Sequence, residues 1–279
     1  MLEYASRLRS IPNAGRREFA GTTIFLDYAL KSAVSTLAEH GMWENTMLIY
    51  VSDNGADPTT EGFGSNWPLR GRKATLFEGG IKVPAFIHSP ILSLASRGIV
   101  YSNMMHVTDW LPTLIGGMLG RRDILKSSDI IGTARQRQGF DGIDQWDQLL
   151  HGGGSYSADS PRNEILVNMN YLGSNHTWLG YDIAAIIVGP WKLILNEYNE
   201  TSWALPLDDN VDKYKSGEGT TVQSFLFDLS EDPSEVSNLY DRYPDKVLLQ
   251  YQTTILRSHA YLIRSYYYLM FRLLNSLQS

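Results

Sequence analysis

Five apolar residues, Met47-Leu48-Ile49-Tyr50-Val51, run straight into Ser52-Asp53-Asn54-Gly55. The run is too short for a helix and rich in β-formers, so it reads as a buried strand. Such a strand ends on a carboxylate and an amide, both hard oxygen donors. In an open α/β sheet, ligands gather at the carboxyl ends of the strands. A loop later comes Asn66-Trp67-Pro68-Leu69-Arg70-Gly71-Arg72-Lys73-Ala74-Thr75-Leu76-Phe77-Glu78-Gly79-Gly80. It brings Arg70, Arg72 and Lys73 among glycines that allow close backbone approach. Taken alone, Asp53-Asn54-Gly55 is more often a turn than a metal site, because Asp and Asn tolerate positive φ. Arg70 to Lys73 alone would read as a solvated loop. It is the order of the pieces that points to a site.

The flanking sequence supports a layered α/β arrangement. Residues 1–18 are polar and basic and read as an irregular lead-in. From Phe19 to His40, Ala20, Ile24, Leu30, Ala33, Val34 and Leu37 recur at helical spacing. Gly41 is placed to end that helix. Helix, then strand, with a site at the strand end, implies a parallel sheet. Val83 to Ile87 reads as the next strand, with Pro84 marking an edge or a start. Thr108 or Asp109 can cap a helix beginning near Trp110. Asp109 is assigned to capping rather than catalysis. His106 reads as packed or at the surface, and no metal-ligand spacing surrounds His88.

Residues 120–160 are polar and glycine-rich and look like a boundary, which divides the chain into 1–138 and 139–279. Beyond it Ile165–Met169, Ala184–Val188, Trp191–Leu195 and Phe225–Leu229 read as short strands with turn signals between them. Strand after strand without helices suggests a small antiparallel sheet. From Pro244 onward the chain reads as a helix docked on that sheet. Arg257, Arg264 and Arg272 argue against its spanning a membrane.

Composition narrows the function classes. The apolar fraction of 43% is enough for a real core, and a net charge of −6 without long runs gives no nucleic-acid footprint. With no cysteine, neither a disulfide framework nor a thiolate zinc site can form. No stretch reaches the roughly 20 apolar residues of a membrane span, and the first residues lack a signal-peptide pattern. Asn175-His176-Thr177 and Asn199-Glu200-Thr201 are glycosylation sequons.

Asp53-Asn54-Gly55 followed by Asn66 to Gly80 resembles the late active-site signature of the sulfatases, specifically the arylsulfatase B-like group. Phe140 to Trp146, Ala185 to Ile194 and Leu226 to Leu239 resemble later stretches of that family. The resemblance implies part of an alkaline-phosphatase/sulfatase-like fold: a mostly parallel sheet with flanking helices, plus a small C-terminal α+β domain. It implies sulfate-ester hydrolysis with a formylglycine and one Ca²⁺ or Mg²⁺. Asp53 and Asn54 would be metal ligands, and Lys73 would touch the sulfate or the leaving-group oxygen. Hard cations prefer such oxygen donors, and an ammonium stabilises negative charge developing in a transition state.

The formylglycine motif Cys-x-Pro-Ser-Arg has no counterpart here, since Ser89-Pro90 and Ser160-Pro161-Arg162 lack the spacing. The chain therefore resembles the C-terminal portion of such an enzyme, expected to be inactive alone, with the nucleophile encoded upstream. The rival expectation is a non-catalytic sulfatase-like protein that binds sulfated glycans or a partner. A two-zinc phosphodiesterase is disfavoured, because its late ligand pair is Asp-His and Asn54 stands in that place. The expected substrate is a sulfated small molecule or glycan, and the family's compartment is lysosomal or secreted. Without its companion strands, the sheet would present an edge open to self-association.

Overall fold

The computed structural model describes residues 8–126, 141–152, 160–169, 183–199, 203 and 221–254. In chain order the elements are α1 (Ala14–Glu39), β1 (Leu48–Val51), α2 (Glu78–Ile81), β2 (Ala85–His88), α3 (Trp110–Pro112) and α4 (Trp146–His151). Then come β3 (Glu164–Met169), β4 (Ala184–Val188), β5 (Trp191–Tyr198), β6 (Val222–Asp228) and a final helix α5 over 244–254. They fall into two compact units. One joins Met1–Asp53 to Val83–Ile165, the other Asn54–Lys82 to Leu166–Ser279. The Asn54–Lys82 loop thus leaves its sequence neighbours and groups with the C-terminal segment.

In the first unit, α1 starts five residues earlier than periodicity suggested. Asn13 caps it, its side chain accepting from the Arg16 N–H at 3.0 Å. Its end is as expected. Gly41 takes φ +67°, its N–H reaching Ala38 O at 3.0 Å and the Met42 N–H reaching Leu37 O at 2.8 Å. Strands β1 and β2 pair antiparallel, Leu48↔His88 to Val51↔Ala85, where the helix–strand order predicted parallel neighbours. Nor is β1 buried: three of its residues are half-buried and Val51 is exposed. Among the described residues this ribbon has two strands, too few layers to enclose either face.

Capping in this unit runs through Asp109. Asp109 stands at the N-cap position of α3, as expected, and its Oδ2 accepts from the His106 N–H at 2.9 Å in a capping box that closes the turn before it. The helix continues through α3 into a wider turn over Thr113–Met118. Asp109 is fully buried and pairs with Arg162, whose Nε donates at 2.8 Å. Burial raises the Asp109 carboxyl, but Arg162 and the His106 and Ile143 amides outweigh it and hold it below the usual range. Asp109 is thus a structural knot.

The second unit is built on a four-stranded sheet in the order β3-β4-β5-β6. Strands β4, β5 and β6 are antiparallel, as the sequence suggested. Gly189-Pro190 closes the first hairpin, with Gly189 at φ +55°, the sign that two-residue hairpin turns require. Register sorts the side chains. Ile186↔Leu193↔Leu226 share one face, on which Tyr243 and Val247 pack. Ala185↔Ile194↔Phe225 and Ile187↔Lys192↔Phe227 share the other. Both faces are covered, so the strands read as near-continuous apolar runs rather than as alternation. Helix α5 docks as expected, and its Gln250 Nε2 donates to Trp191 O at 2.9 Å. The rest of the C-terminal stretch lies outside the described residues.

Candidate active-site loop

Strand β1 ends at Val51, and Ser52 extends it by one bond to Pro84 O at 3.2 Å. Asp53 then stands exposed and Asn54 half-buried, just past the carboxyl end of the strand. The Asn54 Nδ2 donates to Gly55 O at 2.8 Å. The oxygen of such an amide is the atom it offers to a hard cation. Asp53 and Asn54 thus have the hard-oxygen chemistry a Ca²⁺ or Mg²⁺ ion takes, but two donors fall short of the six or more that calcium prefers. Among the described residues, no cluster of three His, Cys, Asp or Glu side chains completes such a set.

Within the second unit, Lys73 is brought back to the start of the loop. Its backbone N–H donates to Ala56 O at 3.1 Å, two residues from Asn54. Its side chain is exposed. The turn around it is fixed locally. Thr75 Oγ1 accepts from the Arg72 N–H at 3.1 Å and donates to Arg72 O at 2.8 Å. Gly71 sits at φ +82° and Ala74 at +71°, the second an unusual state for a residue with a Cβ.

Sequence reasoning passed over Asn66, yet it is the staple of the loop. Its Oδ1 accepts from the Ala56 N–H at 2.6 Å, and its Nδ2 donates to Ala56 O at 2.8 Å and Gly71 O at 3.1 Å. The glycines explain themselves by contact. A Cβ on Gly55 would overlap the Gly79 carbonyl, and one on Gly79 would sit 2.5 Å from Arg70 O. Here backbone packs directly on backbone.

A second group missed at the sequence level anchors the loop to the sheet. Lys192 Nζ lies 2.9 Å from Glu78 Oε1 and 2.7 Å from Glu235 Oε1. The Glu78 N–H also donates to Glu235 Oε2 at 2.6 Å. Burial lowers the Lys192 ammonium, but the two carboxylates outweigh it and hold it above its usual range. Burial, opposed by Lys192 and reinforced by the charge of Glu78, pushes the Glu235 carboxyl up. The available signal was a lone lysine inside an apolar strand, Trp191-Lys192-Leu193-Ile194, since lysine is rarely buried unless paired.

Arg70, which taken alone reads as a solvated loop residue, is buried. Its guanidinium lies over Phe77 at 4.2 Å and Phe225 at 4.9 Å, and donates to Glu235 O and Asn199 Oδ1 at 3.0 and 2.9 Å. The sequon residue Asn199 is half-buried, its Oδ1 accepting from the Arg70 guanidinium. The other sequon residue, Asn175, lies outside the described residues.

The comparisons fit this loop. The Sulfatase family model matches residues 6–120. Arylsulfatase J of Mus musculus is 35% identical over 259 residues, covering 86% of this chain and 40% of that protein. Arylsulfatase A of Homo sapiens is 26% identical, covering 81% of this chain and 39% of that protein. In fold, the chain resembles the crystal structure of Ps i-CgsB in complex with k-i-k-neocarrahexaose. The TM-score is 0.59 at 21% identity, covering 88% of this chain and 44% of that one. It also resembles the PsFucS1 sulfatase from Pseudoalteromonas sp., with TM-score 0.54 and 23% identity, covering 84% of this chain and 42% of that one. The chain belongs to the sulfatase family, and its fold is the α/β fold of that family's structures. It spans about 40% of the length of Arylsulfatase J.

Proposed function

We propose that this chain carries the late metal- and sulfate-contacting residues of a sulfate-ester hydrolase. The observation that carries the reading is the bond from the Lys73 N–H to Ala56 O, which brings the lysine's backbone back to the Asn54 end of the loop. In this reading Lys73 steadies the sulfate and the charge that develops on the leaving oxygen. Asp53 and Asn54 supply two oxygens to one Ca²⁺ or Mg²⁺ ion, which when bound polarises the sulfate. The chain has no cysteine from which a formylglycine nucleophile could be made, so the chain by itself does not turn substrate over. Sulfated carbohydrate is the favoured substrate class. One relative, 25% identical over 256 residues, is the N-acetylgalactosamine-6-O-sulfatase of Bacteroides thetaiotaomicron. The family suggests a lysosomal or secreted setting.

Titration calorimetry and an aryl sulfate assay test the reading together. Inorganic sulfate should bind weakly and lose its site in Lys73→Ala. Calcium should bind with a dissociation constant of about a millimolar or weaker, and more weakly still in Asp53→Ala. Release of the aryl alcohol by the chain alone would overturn its inactivity. Sulfate binding indifferent to Lys73 would overturn the assignment itself.

A further inference from the structure

The loop that carries Lys73 also displays a tryptophan. Trp67 is 52% exposed, and among the described residues of its unit it is the only exposed aromatic outside helix α5. A single exposed apolar side chain is ordinary. What sets Trp67 apart is how firmly its backbone is held. The Trp67 N–H donates to Ser65 Oγ at 3.2 Å, and the Leu69 N–H donates to Asn66 O at 2.8 Å. The preceding residue, Asn66, is the staple already described. Its Nδ2 and the Lys73 N–H converge on the same acceptor, Ala56 O. Residues on either side of the turn are therefore tied to one point, and Trp67, Pro68, Lys73 and Ala74 stand exposed from it.

A flat ring displayed from a fixed backbone suits one kind of ligand. A pyranose has an apolar face of C–H groups and a rim of hydroxyls. The C–H face can lie on the electron-rich face of an indole, and the indole N–H can serve a hydroxyl. Backbone already held in place loses little freedom when the ligand arrives. We propose that Trp67 is a platform for the sugar ring of a sulfated carbohydrate whose sulfate is held by Lys73. The proposal rests on the sulfate-ester reading of Lys73 and adds to it the residue that distinguishes a sulfated sugar from bare sulfate.

The experiment compares inorganic sulfate with galactose 6-sulfate by calorimetry, on the wild-type chain and on Trp67→Ala, Trp67→Tyr and Lys73→Ala. The wild type should bind the sugar sulfate about tenfold more tightly than sulfate, the scale of one aromatic contact. Trp67→Ala should erase that advantage and leave the affinity for sulfate unchanged, while Trp67→Tyr keeps most of it. Unshifted Ala56 and Lys73 amide resonances in Trp67→Ala would show that the loop is intact. Equal binding of the two ligands by the wild type would overturn the platform and leave the reading of Lys73 standing. So would an advantage that survives Trp67→Ala. Failure of both ligands to bind would overturn the two together.

Discussion

The unit that carries Lys73 encloses three phenylalanines and a group of three charges, whereas the unit that carries β1 leaves aromatics of its long helix and of its ribbon exposed. In the former, Phe77, Phe225 and Phe227 are fully buried, and the Glu78–Lys192–Glu235 group lies beside them on the same sheet face. In the latter, Phe25 and Tyr28 of α1 are 70% and 68% exposed, and Val51 and Phe86 of the two-stranded ribbon are exposed too. Hydrophobicity does not explain the contrast, since both units are rich in Leu, Ile and aromatics. Layer count does. A four-stranded sheet covered on both faces can enclose side chains, while a two-stranded ribbon is marginal by itself. The buried charge groups differ as well. Asp109 and Arg162 form a neutral pair, but Lys192 serves two carboxylates.

The largest expected effect that tests this contrast comes from Lys192→Met. It strands two facing carboxylates without a cation and should cost about 3–5 kcal/mol. Urea denaturation with residue-resolved hydrogen exchange should show protection lost across β4 to β6 and kept in α1. An equal loss in α1 would mean the units do not differ in this way. Arg162→Ala should follow, at about 3 kcal/mol, because it leaves Asp109 buried and unpaired. Its loss should appear in the segments that Asp109 ties together, around His106 and Ile143. Gly79→Ala comes next, at about 1–3 kcal/mol, since its Cβ must displace packed backbone. Circular dichroism melts would measure it, and an unchanged melt would show that the loop can yield.

Acid should separate the units by sign. The Asp109 carboxyl is held below its ordinary range, so its stabilisation is present above the unfolded pKa and is lost as pH falls through the folded one. The Glu235 carboxyl is held above its ordinary range, so its contribution is full below the unfolded pKa and fades as pH rises through the folded one. Between neutral pH and about pH 4, the ordinary carboxylate region, β4 to β6 should therefore gain protection. The Asp109 segments should weaken only below that. Weakening of the sheet first would reverse the assignment. The smallest effect is Phe25→Ser, expected within about 0.5 kcal/mol for so exposed a side chain. A clearly larger loss would mean that this face of α1 is covered in solution.

Local chemistry made much of this legible from sequence. The cap at Gly41, the hairpin at Gly189-Pro190 and the carboxyl-end placement of Asp53 and Asn54 each depend on a few neighbouring residues. So did the four strands of the C-terminal sheet, whose apolar runs are continuous because both faces are covered. The ordered signature from Asp53 to Gly80 was enough to suggest the family, because its glycines and its lysine turn serve one compact loop. Other features depend on partners far along the chain. Arg70, close to Arg72 and Lys73, reads as solvated when taken alone, yet it bonds to residues more than a hundred positions away. Glu78 is one residue of the signature by sequence, and a buried partner of Lys192 in the fold. The antiparallel pairing of β1 with β2 and the departure of Asn54–Lys82 from its sequence neighbours were likewise settled by tertiary packing. Sequence spacing reports which residues can share a face. Which face is then covered, and whether a charge upon it finds its counter-ion, depends on chain segments that meet only in the folded protein.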